Sequence, residues 1–375
     1  VQDTRPDHAD VVVVGAGIVG LSAARALAGT GARVVVVERG RPGAEASSAA
    51  AGWLAVQAEA NEGWPLLDVA LRARARHPAL AAELQAETGL SVDLVRHGTL
   101  ELAFTDEDER ALERRLLWQR GWGLPVESWG PEELRRAEPS VSPAARRALF
   151  FPEDGSVDNV LLTRALAASA AARGVALLSD RAVSGLVVED GRVAGVQADG
   201  SALRAPVVIE AMGAWSAALA GDPQPPPVEP VRGQILAFDA RLGTLRHAVC
   251  TARGYVVPRR SGRLLAGSTL ERAGFVKEVT AEGRDAIRRI AAEIAPLLAD
   301  VSPADSWAGL RPGTPDGLPI VGPGALPGLF HATGLYRNGI LLGPLVGESV
   351  ARLALGQPAE INLSAFSPSR FGRRG

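Results

Sequence analysis

The sequence predicts an α/β protein in which a Rossmann-like dinucleotide-binding domain is joined to a second, β-rich α+β domain. Three observations predict it. Val11-Val-Val-Val14 has no polar alternation, as in a parallel strand buried on both faces, and it runs into Gly15-Ala-Gly-Ile-Val-Gly20 at the mouth of a helix. A second apolar strand, Arg33 to Val37, ends in Glu38, 21 positions after Gly17. Beyond a proline-rich stretch at 223–230 the pattern turns to short strands.

Each glycine of the turn has a separate use. Gly15 permits the sharp turn, Gly17 leaves no side chain between backbone and phosphate, and Gly20 lets the helix pack close to the strand. The free N–H groups and positive dipole end of the helix then face a pyrophosphate. At Glu38 a carboxylate can accept from ribose hydroxyls and repels a 2′-phosphate, which disfavours NADP. On these residues alone FAD and NAD both remain open.

The remaining elements follow in order. Arg39-Gly-Arg-Pro-Gly43 is a loop. The small residues of Ser47-Ser-Ala-Ala-Ala-Gly-Trp-Leu54 suit a flat ligand lying on the backbone or a tight helix contact. Leu66 to Thr88 reads as a helix broken at Pro78 and ended by Gly89, and 92–104 as a strand pair around Gly98. Asp106 to Arg120 is a charged amphipathic helix, and Pro131 opens a short one. Asn159 to Arg173 is helical, while Val183 to Val188 and Val193 to Ala198 flank a turn as a hairpin. Val207 to Glu210 is a buried strand leading into Ala211-Met-Gly-Ala-Trp-Ser216, a second glycine turn of the kind that covers a dinucleotide. The prolines at 223–230 make a stiff crossing between domains. Strands follow at 233–238, 254–258 and 263–267, then one helix from Ala281 to Ala299, a strand at 329–333, an apolar helix from Ile340 to Leu355, and a frayed tail from Asn362.

Composition narrows the function classes. With 47% hydrophobic residues, 22% charged residues and a formal net charge of −2, the 375-residue chain has the balance of a soluble globular protein and no nucleic-acid or membrane footprint. The apolar run 11–28 is better explained by strand and helix than by a membrane span. Residues 1–10 are polar without a signal-peptide pattern, so a cytoplasmic protein is expected. A single cysteine, Cys250, excludes an intrachain disulfide, and His8, His77, His97, His247 and His331 lack ligand spacing, so no metal site is expected. Lys277 is the only lysine, and no function is read from that bias.

Five blocks in order resemble the D-amino-acid oxidase family of FAD enzymes, and most closely its glycine-oxidising bacterial members of thiamine synthesis. They are 11–17, 47–52, Gly254-Tyr-Val-Val-Pro-Arg-Arg-Ser-Gly-Arg263, Ala308-Gly-Leu-Arg-Pro-Gly-Thr-Pro-Asp-Gly317 and Tyr336-Arg-Asn-Gly-Ile-Leu-Leu-Gly-Pro344. The resemblance implies non-covalent FAD, a discontinuous FAD-binding domain (1–90, 145–225, 305–375), a substrate-binding domain (91–144, 226–304) and a homo-oligomer, which the family often forms. It also implies site residues. Gly15, Gly17, Ile18, Val19, Gly20, Glu38 and Arg39 would hold the adenosine and pyrophosphate, with Val183, Gly213 and Trp215 beside them. Ser47, Ser48, Ala50, Ala51, Gly52 and Trp53 would lie along the isoalloxazine, and Tyr336, Arg337, Asn338, Gly339 and Ile340 would close over it. Arg311 would grip the substrate carboxylate and border the flavin, aided by Tyr255, with Arg337 a further catalytic candidate. Trp53 departs from a common Met, and Leu335 from a common His.

The chemistry suits these residue types. Oxidising an amine to an imine needs the flavin to take a hydride, so the protein needs neither nucleophile nor metal. A planar guanidinium fixes a carboxylate in orientation as well as position. A small amino acid or amine is the expected substrate and oxygen the expected acceptor, the product imine hydrolysing to oxo acid and ammonia with release of hydrogen peroxide. Within the same family a sarcosine, D-amino-acid or imino-acid oxidase or dehydrogenase is the alternative; an NAD dehydrogenase and a non-catalytic flavin-binding protein are more remote.

Overall fold

The computed structural model describes residues 7–372, so the ends of the polar leader 1–10 and of the tail lie outside the described residues. Val11–Val14 forms the middle of a six-stranded sheet, pairing in parallel with Val34–Val37 on one side and Val207–Glu210 on the other. Leu329–Thr333 and Ala176–Leu178 extend it in parallel, and Ile320–Pro323 closes one edge antiparallel. Successive strand residues point to opposite faces, which explains the unbroken valine runs. Val11, Val13, Val34 and Val36 pack on the helical side with Leu21, Leu27, Leu166 and Val346. Val12, Val14, Val35 and Val37 pack on the other side with Val193, Val196 and Leu203 of a three-stranded sheet, Val183–Glu189, Arg192–Ala198 and Ser201–Arg204. That sheet is the expected hairpin with one strand added.

A second, eight-stranded sheet runs in the order Asp305–Gly313, Glu229–Asp239, Arg263–Gly267, Gly254–Pro258, Ala248–Thr251, Thr99–Ala103, Arg147–Phe151, Glu127–Trp129. Its strands alternate cleanly. Leu236, Phe238, Val256 and Ala266 face the helix Ala281–Ile294, while Ile235, Ala237, Tyr255 and Val257 face inward toward Ala51 and Trp53. The inner face thus looks at the carboxyl ends of the six-stranded sheet, where open parallel sheets hold their ligands.

Several expectations are corrected. The helix Leu67–Thr88 runs through Pro78: the proline is exposed, and Ala73, His77, Leu80 and Leu84 keep the helix docked on both sides of it. Residues 92–104 make no hairpin: Val95 bridges to Ser156, and Thr99–Ala103 pairs with Arg147–Phe151 and Ala248–Thr251. The helix beginning at Ala281 stops at Ile294, and a short 3-10 turn starts at Pro296. The tail is not frayed through 372, since Ile361 and Phe366 are buried in the main core and Arg370 pairs with Asp316 at 2.7 Å. Arg147–Phe151 and Asp305–Gly313 are both strands of the eight-stranded sheet. No helix among the described residues is long and apolar enough to cross a membrane.

Candidate active site

Between the two sheets lies a cavity of about 440 Å³, within the range of small-molecule and cofactor sites. Its first wall is the glycine turn. Gly15 has φ of +104° and its N–H donates to the Val37 carbonyl at 2.8 Å; a Cβ there would run into the Ala211 carbonyl. A Cβ on Gly20 would collide with the Gly15 carbonyl and touch Val13, so Gly20 serves packing and lies outside the cavity wall. Gly17 differs: the nearest atom to an added Cβ is Ser47 Oγ at 3.3 Å, and the space in front of it is cavity. Of the three, Gly17 is the one whose missing side chain leaves room for a ligand.

Ile18 and Val19 continue this wall, and the Ile18 N–H donates to Ser47 Oγ at 3.0 Å. Glu38 is held at both oxygens, by the Ala16 N–H at 2.8 Å and the Gly40 N–H at 3.0 Å, which fixes its carboxylate on the cavity edge. Arg39, Val183, Gly213 and Trp215 gather beside it. The Arg39 guanidinium sits 3.6 Å over the Trp215 ring, and Trp215 stacks on Phe275 with centroids 5.4 Å apart.

The middle of the cavity is walled by 47–53. Trp307 Nε1 donates to the Ala49 carbonyl at 2.9 Å, and Ala50, Ala51, Gly52 and Trp53 follow along the wall. Ser48 does not line it; the one helical turn Ala46–Ala49 points its hydroxyl back to the Gly43 carbonyl at 2.6 Å. Trp53 donates through Nε1 to Thr99 Oγ1 at 3.0 Å and lies 5.2 Å from the Tyr255 ring.

At the far end Tyr255, Arg311, Tyr336, Arg337, Asn338, Gly339 and Ile340 all reach the cavity. Arg311 donates to Ser268 Oγ at 2.8 Å and the Thr269 carbonyl at 3.1 Å, and among the described residues no carboxylate lies within 4 Å of it. Burial pulls its pKa below the ordinary arginine value. Gly233, on the neighbouring strand, leaves the space for this guanidinium, since a Cβ there would collide with it. Arg337 is the opposite case. It makes a two-pronged pair with Glu59, at 3.0 and 2.5 Å; burial lowers its pKa, but Glu59 outweighs burial and the net shift is upward. The helix Gly339–Ala354 begins here with no side-chain cap, so its first N–H groups face the cavity. Leu335, also in the wall, is 4% exposed. Cys250 is buried outside the wall, its thiol pKa pushed well up by burial.

The sequence reading missed Glu59, Gly233 and Ser268. Gly233 had a signal, a glycine inside a strand pattern; the others had none. These surroundings fit FAD. A ligand-sized gap opens in front of Gly17, a carboxylate is fixed at Glu38, and one long cavity connects them to Arg311, which has only neutral partners among the described residues.

Comparison with known proteins agrees. The family model described as FAD dependent oxidoreductase matches residues 10–353. A glycine oxidase of Pseudomonas aeruginosa is 36% identical over 366 residues, covering 96% of this chain and 98% of that protein. A bifunctional protein ThiO/ThiG of Synechocystis is 33% identical, covering 96% of this chain and 54% of that protein. The crystal structure of glycine oxidase from Geobacillus kaustophilus superimposes with a TM-score of 0.92 at 36% identity, covering 97% of this chain and 99% of that one. The chain belongs to the DAO family of FAD dependent oxidoreductases, and its cofactor is FAD.

Proposed function

We propose that this protein oxidises glycine and similar small amino acids, with oxygen as acceptor, and supplies the thiazole branch of thiamine synthesis. Glycine, water and oxygen would give glyoxylate, ammonia and hydrogen peroxide. The six-stranded sheet and its helices form the flavin-binding unit, and the eight-stranded sheet presents the substrate. FAD would be held without a covalent link, and among the described residues no Cys or His lines the cavity.

The observation that carries this reading is the Arg311 guanidinium, half-buried at the cavity wall with no carboxylate within 4 Å among the described residues. A buried cation without a partner is costly, and a substrate carboxylate supplies the missing charge. Two of its five N–H groups go to Ser268 and Thr269, which leaves three for a two-pronged grip. The Tyr255 hydroxyl, which has no hydrogen-bond partner among the described residues, donates to the same carboxylate. When bound, FAD supplies the acceptor for the hydride leaving Cα. Arg311 and Tyr255 hold the carboxylate so that Cα–H is presented consistently, and the apolar wall of Trp53 and Leu335 favours the neutral amine. The uncapped N–H groups at Gly339 and Ile340 would stabilise negative charge on the reduced cofactor.

The test is anaerobic bleaching of the flavin by glycine, sarcosine, D-alanine and D-proline, followed by turnover with oxygen and then with a dye. Glycine should bleach the flavin and be turned over with oxygen. Bleaching by none of the four refutes the reading, and turnover with the dye alone replaces oxidase by dehydrogenase.

A further inference from the structure

A second arginine, at the end of a strand of the eight-stranded sheet, also has no carboxylate within 4 Å among the described residues. Arg259 begins the turn between the strands Gly254–Pro258 and Arg263–Gly267, where its backbone N–H donates to the Arg263 carbonyl at 2.8 Å. Its guanidinium donates to the Val157 carbonyl and to Asn159 Oδ1, and no carboxylate among the described residues lies within 4 Å. Both acceptors lead to the cavity wall. The Val157 N–H donates to the Gly52 carbonyl at 2.9 Å, and Asn159 Nδ2 donates to the carbonyls of Ser47 at 2.7 Å and Ser48 at 3.0 Å. The guanidinium lies directly behind Gly52, whose added Cβ would be 2.9 and 3.1 Å from its two terminal nitrogens.

We infer that Arg259 is a positioning residue for the oxidation: it clamps the flavin-facing wall 47–53 to the strand that carries Tyr255, and it keeps a positive charge behind that wall. The inference rests on the functional reading only for the assignment of 47–53 to the flavin ring. One fork with two acceptors ties both ends of the wall, through Val157 to Gly52 and through Asn159 to Ser47. Lysine, a single point donor, cannot hold both at the same geometry. Burial lowers the pKa of Arg259, with the nearby charge of Asp158 opposing, so the fold bears a desolvation cost that a neutral anchor would avoid. A cation behind the wall raises the potential felt across it, which favours the electron-rich form of the cofactor.

The experiment uses FAD-loaded Arg259→Ala and Arg259→Lys, read first without substrate. Both should shift the flavin absorption bands and lower the midpoint potential, Ala more than Lys in potential because Lys keeps the charge. With glycine, kcat should fall about ten- to a hundred-fold while KM changes far less, because the wall and not the carboxylate grip has moved. Added guanidinium salt should restore part of the Ala loss and none of the Lys loss. A parent spectrum and parent potential in Arg259→Ala overturn the inference, as does a loss confined to thermal stability with no rescue. If Arg259→Ala does not fold, Asn159→Ala breaks one arm of the same clamp and must show the spectral shift; a parent spectrum there is equally fatal. Because the substrate-free spectrum and potential need no turnover, a protein that glycine fails to bleach refutes the substrate assignment and still decides the clamp.

Discussion

Replacing Arg311 by Ala is the sharpest probe of the site. The guanidinium has five N–H groups, of which two are spent on Ser268 Oγ and the Thr269 carbonyl, so a two-pronged carboxylate contact is available without breaking either. Leaving a bound carboxylate in this half-dry pocket without its counter-charge costs on the order of 3–5 kcal/mol, or about 150- to 5000-fold in kcat/KM at roughly 1.36 kcal/mol per decade. Tyr255→Phe removes one donor to a charged group, about 1.5–3 kcal/mol, and less where water fills in. Its loss should be about ten- to a hundred-fold. Arg311→Lys should recover only part, since one ammonium cannot serve Ser268, Thr269 and both carboxylate oxygens. Gly233→Ala supplies an independent arm: it keeps the charge but drives a Cβ into the guanidinium, and so should lose activity by displacement. Steady-state kinetics with glycine and FAD titration of each variant make the assay. If Arg311→Ala oxidises glycine at the parent kcat/KM with FAD bound, or if Tyr255→Phe costs more than Arg311→Ala, the carboxylate grip is elsewhere.

Three further outcomes are expected. Gly17→Val should fold yet bind little FAD, because its side chain would enter the cavity and not the protein; stoichiometric flavin in the purified variant would refute the pyrophosphate assignment. Trp53→Met should change the flavin spectrum and its reoxidation rate and should free Thr99 of its indole partner; identical spectra and rates would place the indole away from the ring. His77 is buried against the Leu341 carbonyl at 3.1 Å, and burial depresses its pKa from 6.5 to about 4. The unfolded chain therefore binds the proton first, and the parent should lose stability as pH falls from 6.5 toward 4, by on the order of 3 kcal/mol at most. Denaturant melts of His77→Leu across that window should show a shallower loss, and equal slopes in parent and variant would refute the buried neutral imidazole.

What the sequence revealed and what it concealed divide along the range of the interactions. The glycine turn, the valine runs and Glu38 are legible because strand, turn, helix and acid succeed one another within 28 residues, each with a local conformational cause. The strands Arg147–Phe151 and Ala248–Thr251 carried no such pattern; each is defined by pairing with Thr99–Ala103, far away in sequence. Pro78 misled because propensity prices the lost hydrogen bond but not the packing of Ala73, His77, Leu80 and Leu84 that holds the helix together. Ser47 and Ser48 look equivalent on paper, yet one turn of helix aims the first at the Ile18 N–H and the second at Gly43. Arg311 and Arg337 were singled out by motif, but their difference in charge state of partner was invisible, because Glu59 lies 278 positions from Arg337.

That difference decides what the far end of the cavity can accept. Two guanidiniums face it, but Arg337 is already matched by Glu59 in a two-pronged pair whose geometry uses its Nε and one terminal nitrogen. Pulling a substrate carboxylate onto Arg337 would place it against the Glu59 oxygens, and the repulsion would offset most of the attraction. Arg311 has only neutral acceptors, Ser268 and Thr269. Among the described residues the end of the cavity therefore presents one guanidinium without a carboxylate, which suits a monocarboxylate held at one point. On the proposed function a neutral amine on the same carbon would lie toward Trp53 and Leu335, and the one carboxylate at this end among the described residues, Glu59, is already paired with Arg337. On the proposed function, the pairing of Glu59 with Arg337 would leave the carboxylate to Arg311 and the amine neutral, the form whose lone pair helps expel the hydride from Cα.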